Sequence, residues 1–158
     1  MAIHSAKIHW QFTGEESFAG NRYSRAHTWS FDGGAVVPAS SSPAVVPIPM
    51  SSADAVDPEE AFVASLSSCH MLWFLSVAAR RGFTVLDYMD EARGTMGKNA
   101  AGKFAMVRVD LAPVARFGGE EFPTAEELEA MHHTAHESCF IANSVTADVV
   151  CTPIHPSN

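Results

Sequence analysis

The sequence predicts an α+β fold in which antiparallel sheets pack around a central buried helix, and three observations lead there. Short segments of period-two hydrophobicity open the chain, recur in its middle and close it. Two segments with helix start and stop signals lie between them. The resulting order is ββ, crossover, helix, ββ, helix, β. Strands and helices are thus segregated and do not alternate as in a βαβ winding. A length of 158 residues fits a single domain, 1–158. With 47% apolar and 18% charged residues, the chain carries enough apolar side chains for a core and too few charges for disorder.

The elements follow in chain order. In residues 5–12, Ala6, Ile8, Trp10 and Phe12 alternate with polar neighbours, the period of a strand. TGEESFAGN reads as a loop, and RAHTWSF (25–31) as a second strand that ends at the turn DGG and pairs with the first. The stretch 36–56 carries four of the nine prolines and many serines, so it is expected to be an irregular surface crossover and not a helix. DPEEAFVASLSSCHMLWFLSVAARRG is the clearest helix. Asp57 caps it, Pro58 suits its first position and Glu60 completes a capping box. Arg80 and Arg81 suit the negative end of the dipole, and Gly82 the stop. Its apolar residues occupy nearly every face, which predicts burial all round. FTVLDYMDEARGTM and KFAMVRVDLAPVARF read as two strands joined by a turn at Lys98–Gly102. Thr124 and Glu127 frame a second capping box, and that helix turns Leu128, Met131, Ala135 and Cys139 inward. A last strand is expected from Ser144 to Cys151.

Charge and composition exclude several functions. The net charge is −8 and the Lys and Arg residues are scattered, so no basic footprint for nucleic acid exists. MAIHSAKIHWQF has neither an apolar core nor a cleavage pattern, so no signal peptide is expected and the cytoplasm is the expected compartment. The apolar stretch Ala61–Ala79 is interrupted by Ser65, Ser67, Ser68, His70 and Ser76, which predicts a core helix and no membrane association. Three cysteines, an odd number, do not make a structural disulfide framework in a reducing compartment. They are core residues, metal ligands or catalytic thiols.

The residues leave that choice open. Cys69 stands in mid-helix before His70, where a free cysteine is either a small buried hydrophobe or a reactive thiol with a cation beside it. Cys139 closes the second helix with the same two readings. Cys151 has no neighbour in sequence that suggests chemistry and is expected to be inert. His132, His136 and Cys139 fall on one helical face, a spacing that suits zinc, with Cys69 or His70 as fourth ligand. Against it, no CxxC pair occurs, and histidines near a helix C-terminus are favoured by the dipole alone.

DPEEAFVASLSSCHMLWFLSVAARRGF resembles the central helix of the osmotically inducible protein C and organic hydroperoxide resistance (OsmC/Ohr) family. In that family an Asn/Thr/Asp-Pro-Glu start precedes the reactive cysteine, which follows ten residues after the Glu. AHESCFIANSV resembles the segment of the family's second cysteine, and the element order agrees over residues 5–151. The resemblance implies that Cys69 is the peroxidatic and Cys139 the resolving cysteine. It implies that Glu59 holds an active-site arginine from around the second strand, either Arg22 or Arg25, with Arg25 preferred because it opens that strand. It further implies an intertwined homodimer and no cofactor, with an external dithiol of the lipoyl or thioredoxin type as reductant. Phe140 departs from the proline frequent after the second cysteine, and His70 has no assigned role.

The implied activity is reduction of organic hydroperoxides, with hydrogen peroxide as a further substrate. A Cys69 thiolate would attack the O–O bond, and Cys139 would condense with the sulfenic acid before over-oxidation. A guanidinium beside Cys69 would favour the thiolate. Phe62, Leu66, Leu72 and Trp73 would receive the organic tail. Glu59 and Cys69 stand ten helical residues apart, about 15 Å, which the dimer resolves by sharing the site across a two-fold interface. Two other classes compete with this reading. One is the zinc-binding module just described, and the other a protein of the same fold that binds ligands without peroxidase activity.

Overall fold

Residues 1–14 and 17–155 are described by the computed structural model, and their contacts divide the chain into two units, Met1–Ala61 and Phe62–Asn158. Glu15 and Glu16 of the expected first loop lie outside the described residues.

The first unit is built on an antiparallel sheet of β1 (Ala6–His9), β2 (His27–Phe31) and β3 (Val36–Ala39), in that order. Ile8 faces Trp29 across one pair and Trp29 faces Val37 across the other, so a β-branched–aromatic row crosses the sheet. The turn into β3 uses Gly34 at φ +87°, whose N–H donates to the Phe31 carbonyl. The strand β3 corrects the expected crossover, whose first residues pair with β2. Pro38 is compatible with that because β3 is the sheet's edge. From Ser40 to Val56 the path is irregular, as expected. It is tied by the buried Ser40, whose N–H donates to the Val56 carbonyl and whose hydroxyl accepts from the N–H of Ser52.

The helix α1 (Pro58–Arg80) starts at the end of this unit, and most of it belongs to the second. Its capping box forms as read. The N–H of Glu60 donates to Asp57 Oδ1 at 2.7 Å and the N–H of Asp57 to Glu60 Oε2 at 3.1 Å. At its other end Gly82, at φ +86°, donates to the Ala79 carbonyl and Phe83 to that of Ala78, a Schellman stop. By length and composition α1 is apolar enough to cross a membrane. It nevertheless buries a stripe of Leu66, His70, Phe74, Val77 and Ala78, at helical spacing, in the protein core. Burial on nearly every face is not observed. Ala64, Ser65, Ser68 and Leu72 are exposed, because they stand opposite that stripe.

In the second unit the two long strands expected after α1 are each broken in two. The strands β4 (Thr84–Asp90) and β7 (Pro113–Gly118) pair antiparallel, as do β5 (Arg93–Lys98) and β6 (Phe104–Leu111). Asp90 sits at the break. One of its carboxylate oxygens accepts from Ala112 N–H at 2.8 Å, the other from Ser67 Oγ at 2.5 Å, so a side chain takes a donor that a sheet ladder would have used. The helix α2 (Ala125–Ser138) carries the Thr124–Glu127 capping box and buries Leu128, Met131, His132 and Ala135. The expected last strand, Ser144 to Cys151, is shorter than read: β8 covers Asp148–Cys151, and a 3₁₀ turn, Ala142–Ser144, ends at its expected first residue. This strand joins β6 in parallel, the exception to the antiparallel expectation. Phe74, Val77, Ala115, Met131 and Ala135 form one core cluster, and Leu66, Val109 and Leu111 another. Each large side chain so buried contributes about 1.5–3 kcal/mol.

Candidate active site

The two cysteines expected to react sit on different helices of the second unit and meet. Cys69, on α1 beside His70 of the buried stripe, is half-buried. Cys139 is the C-cap of α2 and only 1% exposed. The two thiols are near enough for Cys69 to raise the pKa of Cys139, and both are free.

Local geometry fixes Cys139. Its N–H donates to the His136 carbonyl, closing the helix, while its own carbonyl accepts from Asn143 N–H and Asn143 Nδ2–H. The Ala142 N–H points at Cys139 Sγ from 3.4 Å. Burial pushes the Cys139 thiol up to about 11, with the Cys69 thiol adding to the rise and the Ala142 N–H opposing it. Burial, with the charges of Asp90 and Glu129, likewise pushes Cys151 up to about 12. Two of the three thiols are therefore held protonated, which suits neither to first attack on a peroxide.

Aromatic rings adjoin the thiols. Trp73, one turn after Cys69, meets Phe140, the residue after Cys139, edge to face at 5.4 Å between centroids. Phe140 is 69% exposed. In sequence Phe140 is a departure from the proline expected there and nothing pairs it with Trp73, since their approach depends on how the two helices pack. Of the other expected tail contacts, Leu66 is buried in the core, Phe62 packs against it and Leu72 is exposed.

The first unit holds Arg25 and Glu59 around one cavity of about 480 Å³, lined by Ile8, Trp10, Phe18, Tyr23 and His27 among others. Arg25 lies over the Tyr23 ring, 3.8 Å from its centroid, and donates to the Tyr23 carbonyl and to Asn21 Oδ1 at 2.7 Å. Trp10 packs edge to face on Tyr23, and Phe18 stacks on Tyr23 at 4.6 Å between centroids. The bond from Glu59 to the arginine, expected from sequence, is not made among the described residues. The Arg25 guanidinium is engaged by Asn21 and Tyr23, and Glu59 faces the same cavity. Arg22 is exposed and does not line it.

The zinc face read from α2 is not assembled. Cys139 turns to Cys69, whereas His132 turns to His70 and to Cys151, the thiol expected to be inert. His136 Nδ1 is buried with no protein partner. Helical spacing places His132, His136 and Cys139 on one side of α2, but the side chains diverge toward different neighbours.

The chain is similar to known proteins in sequence and in fold. The family model described as OsmC-like protein matches residues 51–153. The structure of an OsmC-like protein of unknown function from Vibrio cholerae is 55% identical, with a TM-score of 0.96 over 98% of this chain and 100% of that one. An organic hydroperoxide resistance protein from Elizabethkingia anophelis superimposes with a TM-score of 0.70 at 17% identity, covering 100% of this chain and 98% of that one. That of Bacillus subtilis does so with a TM-score of 0.63 at 16% identity, over 98% of both chains. At such identities the likeness to these two is one of fold. No curated protein matches the sequence. The match over residues 51–153, together with the 55% identical structure, shows that the chain belongs to the OsmC-like protein family.

Proposed function

We propose that the chain is a cysteine peroxidase that reduces organic hydroperoxides, with Cys69 as the attacking and Cys139 as the resolving thiol. The observation that carries this reading is the approach of a half-exposed thiol on α1 to a buried thiol at the end of α2. Family membership supports it, as do neighbours named for organic hydroperoxide resistance.

The Cys69 thiolate attacks one peroxide oxygen, the O–O bond breaks, and the alcohol leaves with a proton. The resulting sulfenic acid condenses with the Cys139 thiol, releasing water and forming a disulfide. An external dithiol, lipoyl-type or thioredoxin-type, returns the disulfide to two thiols by exchange. The high pKa of Cys139 keeps it in reserve until the sulfenic acid has formed. In this reading Arg25 and Glu59 of one subunit complete the site around Cys69 of the partner subunit in an intertwined homodimer. The guanidinium then favours the thiolate and orients the peroxide. A cavity of about 480 Å³ lined by Trp10, Phe18 and Tyr23 is sized for a small organic group.

Cumene hydroperoxide consumption in the presence of a dithiol tests the proposal. The wild-type chain should turn over, Cys69→Ser should not, and Cys151→Ser should retain most of the rate. No consumption by the wild-type chain with any dithiol would leave the alternative, a non-peroxidase protein of this fold.

A further inference from the structure

We propose that His70, His132 and Cys151 form a zinc(II) site, ligated through His70 Nε2, His132 Nδ1 and Cys151 Sγ, that clamps α1, α2 and β8 together. The three atoms converge. His70 Nε2 lies 3.0 Å from His132 Nδ1, and Cys151 Sγ lies 3.5 Å from the first and 3.8 Å from the second. Among the described residues this is the trio whose ligand atoms all fall within 4.8 Å of one another. Around a tetrahedral zinc with N at about 2.0–2.1 Å and S at about 2.3 Å, neighbouring ligands stand roughly 3.4 Å (N to N) and 3.6 Å (N to S) apart. Movements of a few tenths of an ångström would seat the ion.

Hydrogen bonding accounts less well for three atoms pointed at one place, since it joins atoms in pairs. Two neutral imidazoles share one N–H···N bond, which occupies both facing nitrogens and leaves the thiol beside them, a weak donor and a weak acceptor, only long contacts of 3.5 and 3.8 Å. With zinc bound, each of the three atoms contributes a lone pair to a single centre. The thiol proton leaves to solvent. The imidazole proton held between the rings moves to that ring's outer nitrogen, so both outer nitrogens, His70 Nδ1 and His132 Nε2, carry hydrogen. No oxidant or reductant is needed.

The surroundings hold the ligands in place. The His132 ring stacks on Phe74 at 4.1 Å between centroids and lies parallel to the His70 ring, so packing fixes both orientations. His70 is 1% exposed and His132 3%, a shielded setting in which the attraction between a cation and its ligands is strong. One thiolate leaves a single positive charge on the ion. Asp90, fixed by Ser67 and Ala112, is close enough for its charge to act on His70, Tyr88 and Cys151, and it balances that charge. Two nitrogens and one thiolate make a borderline-soft set that suits zinc and cobalt over calcium or magnesium.

The test uses the full chain carrying Cys69→Ser and Cys139→Ser, with folding checked by circular dichroism. Cys151 is then the sole thiol, and failure of the peroxidase reading has no bearing on the result. Cobalt(II) titration should saturate at one equivalent with a thiolate-to-cobalt charge-transfer band, and zinc should bleach it. The band should vanish when Cys151→Ser is added. Because that variant also alters a half-buried position, a second measurement is made without it: zinc should slow alkylation of Cys151, and chelation should restore the rate. Absence of the band, its persistence after Cys151→Ser, or alkylation indifferent to zinc would each overturn the proposal.

Discussion

The thiol of Cys139, 1% exposed at the end of α2, neighbours the half-buried thiol of Cys69 on α1 closely enough that Cys69 raises its pKa. Close approach of one accessible and one shielded sulfur is what a sulfenic acid needs for rapid resolution. Cys139→Ser should therefore still react once with peroxide. On repeated exposure it should accumulate sulfinic acid at Cys69, where the wild-type chain forms a disulfide. Intact-mass spectrometry after increasing doses of cumene hydroperoxide reads the difference. Equal over-oxidation of both proteins would remove the resolving role.

Arg25 and Arg22 should differ in effect. Arg25 lines the aromatic cavity with Glu59 and Arg22 does not. Arg25→Ala should slow peroxide reduction about 10- to 100-fold, the worth of one charge-assisted contact. Arg25→Lys should recover only part of it, because a lysine lacks the planar fork. Arg22→Ala should stay near the wild-type rate. The reverse order in stopped-flow rates would assign the role to Arg22.

A shared site makes a stronger prediction. Arg25→Ala and Cys69→Ser chains, each impaired alone, should regain activity when mixed and allowed to exchange subunits, because one site per mixed dimer is then intact. Sedimentation should show a dimer. A fully active monomer, or no recovery in a demonstrably exchanged mixture, would contradict sharing.

Burial holds His70 at about 4 and His132 at about 3, with His136 lowering the first further and Asp90 opposing, and His70 and His155 lowering the second. Both values lie below the ordinary 6.5, so below that pH the unfolded chain takes up two protons that the folded chain refuses. Stability of the chelator-treated protein should thus be full above pH 6.5 and fall as the pH is lowered toward 4. At pH 5.5 the loss should be about 1.4 kcal/mol per histidine. Urea midpoints at pH 7.5 and 5.5 measure it. A midpoint unchanged by this drop would show that the imidazoles charge freely in the fold.

Local signals were legible in the chain, and long-range ones were not. Both capping boxes, Asp57–Glu60 and Thr124–Glu127, formed because each depends on residues three apart. The inward face of α2 followed from its period. The strand β3 was hidden by Pro38, which reads as a breaker until the sheet supplies an edge for it. The break at Asp90 depends on Ser67 and Ala112, more than twenty positions away in either direction. The approach of Cys151 to His70 spans 81 residues, so nothing beside Cys151 in sequence marks it. The approach of the Cys69 and Cys139 thiols was legible only through resemblance.

The central claim, that Cys69 and Cys139 form one redox pair, is tested most directly by counting and mapping thiols. One equivalent of cumene hydroperoxide is added to the fully reduced chain under denaturant-free conditions. Free thiols should fall from three to one, and peptide mapping should find Cys69 joined to Cys139 with Cys151 free. Three thiols surviving the peroxide, or a disulfide that includes Cys151, would contradict the account.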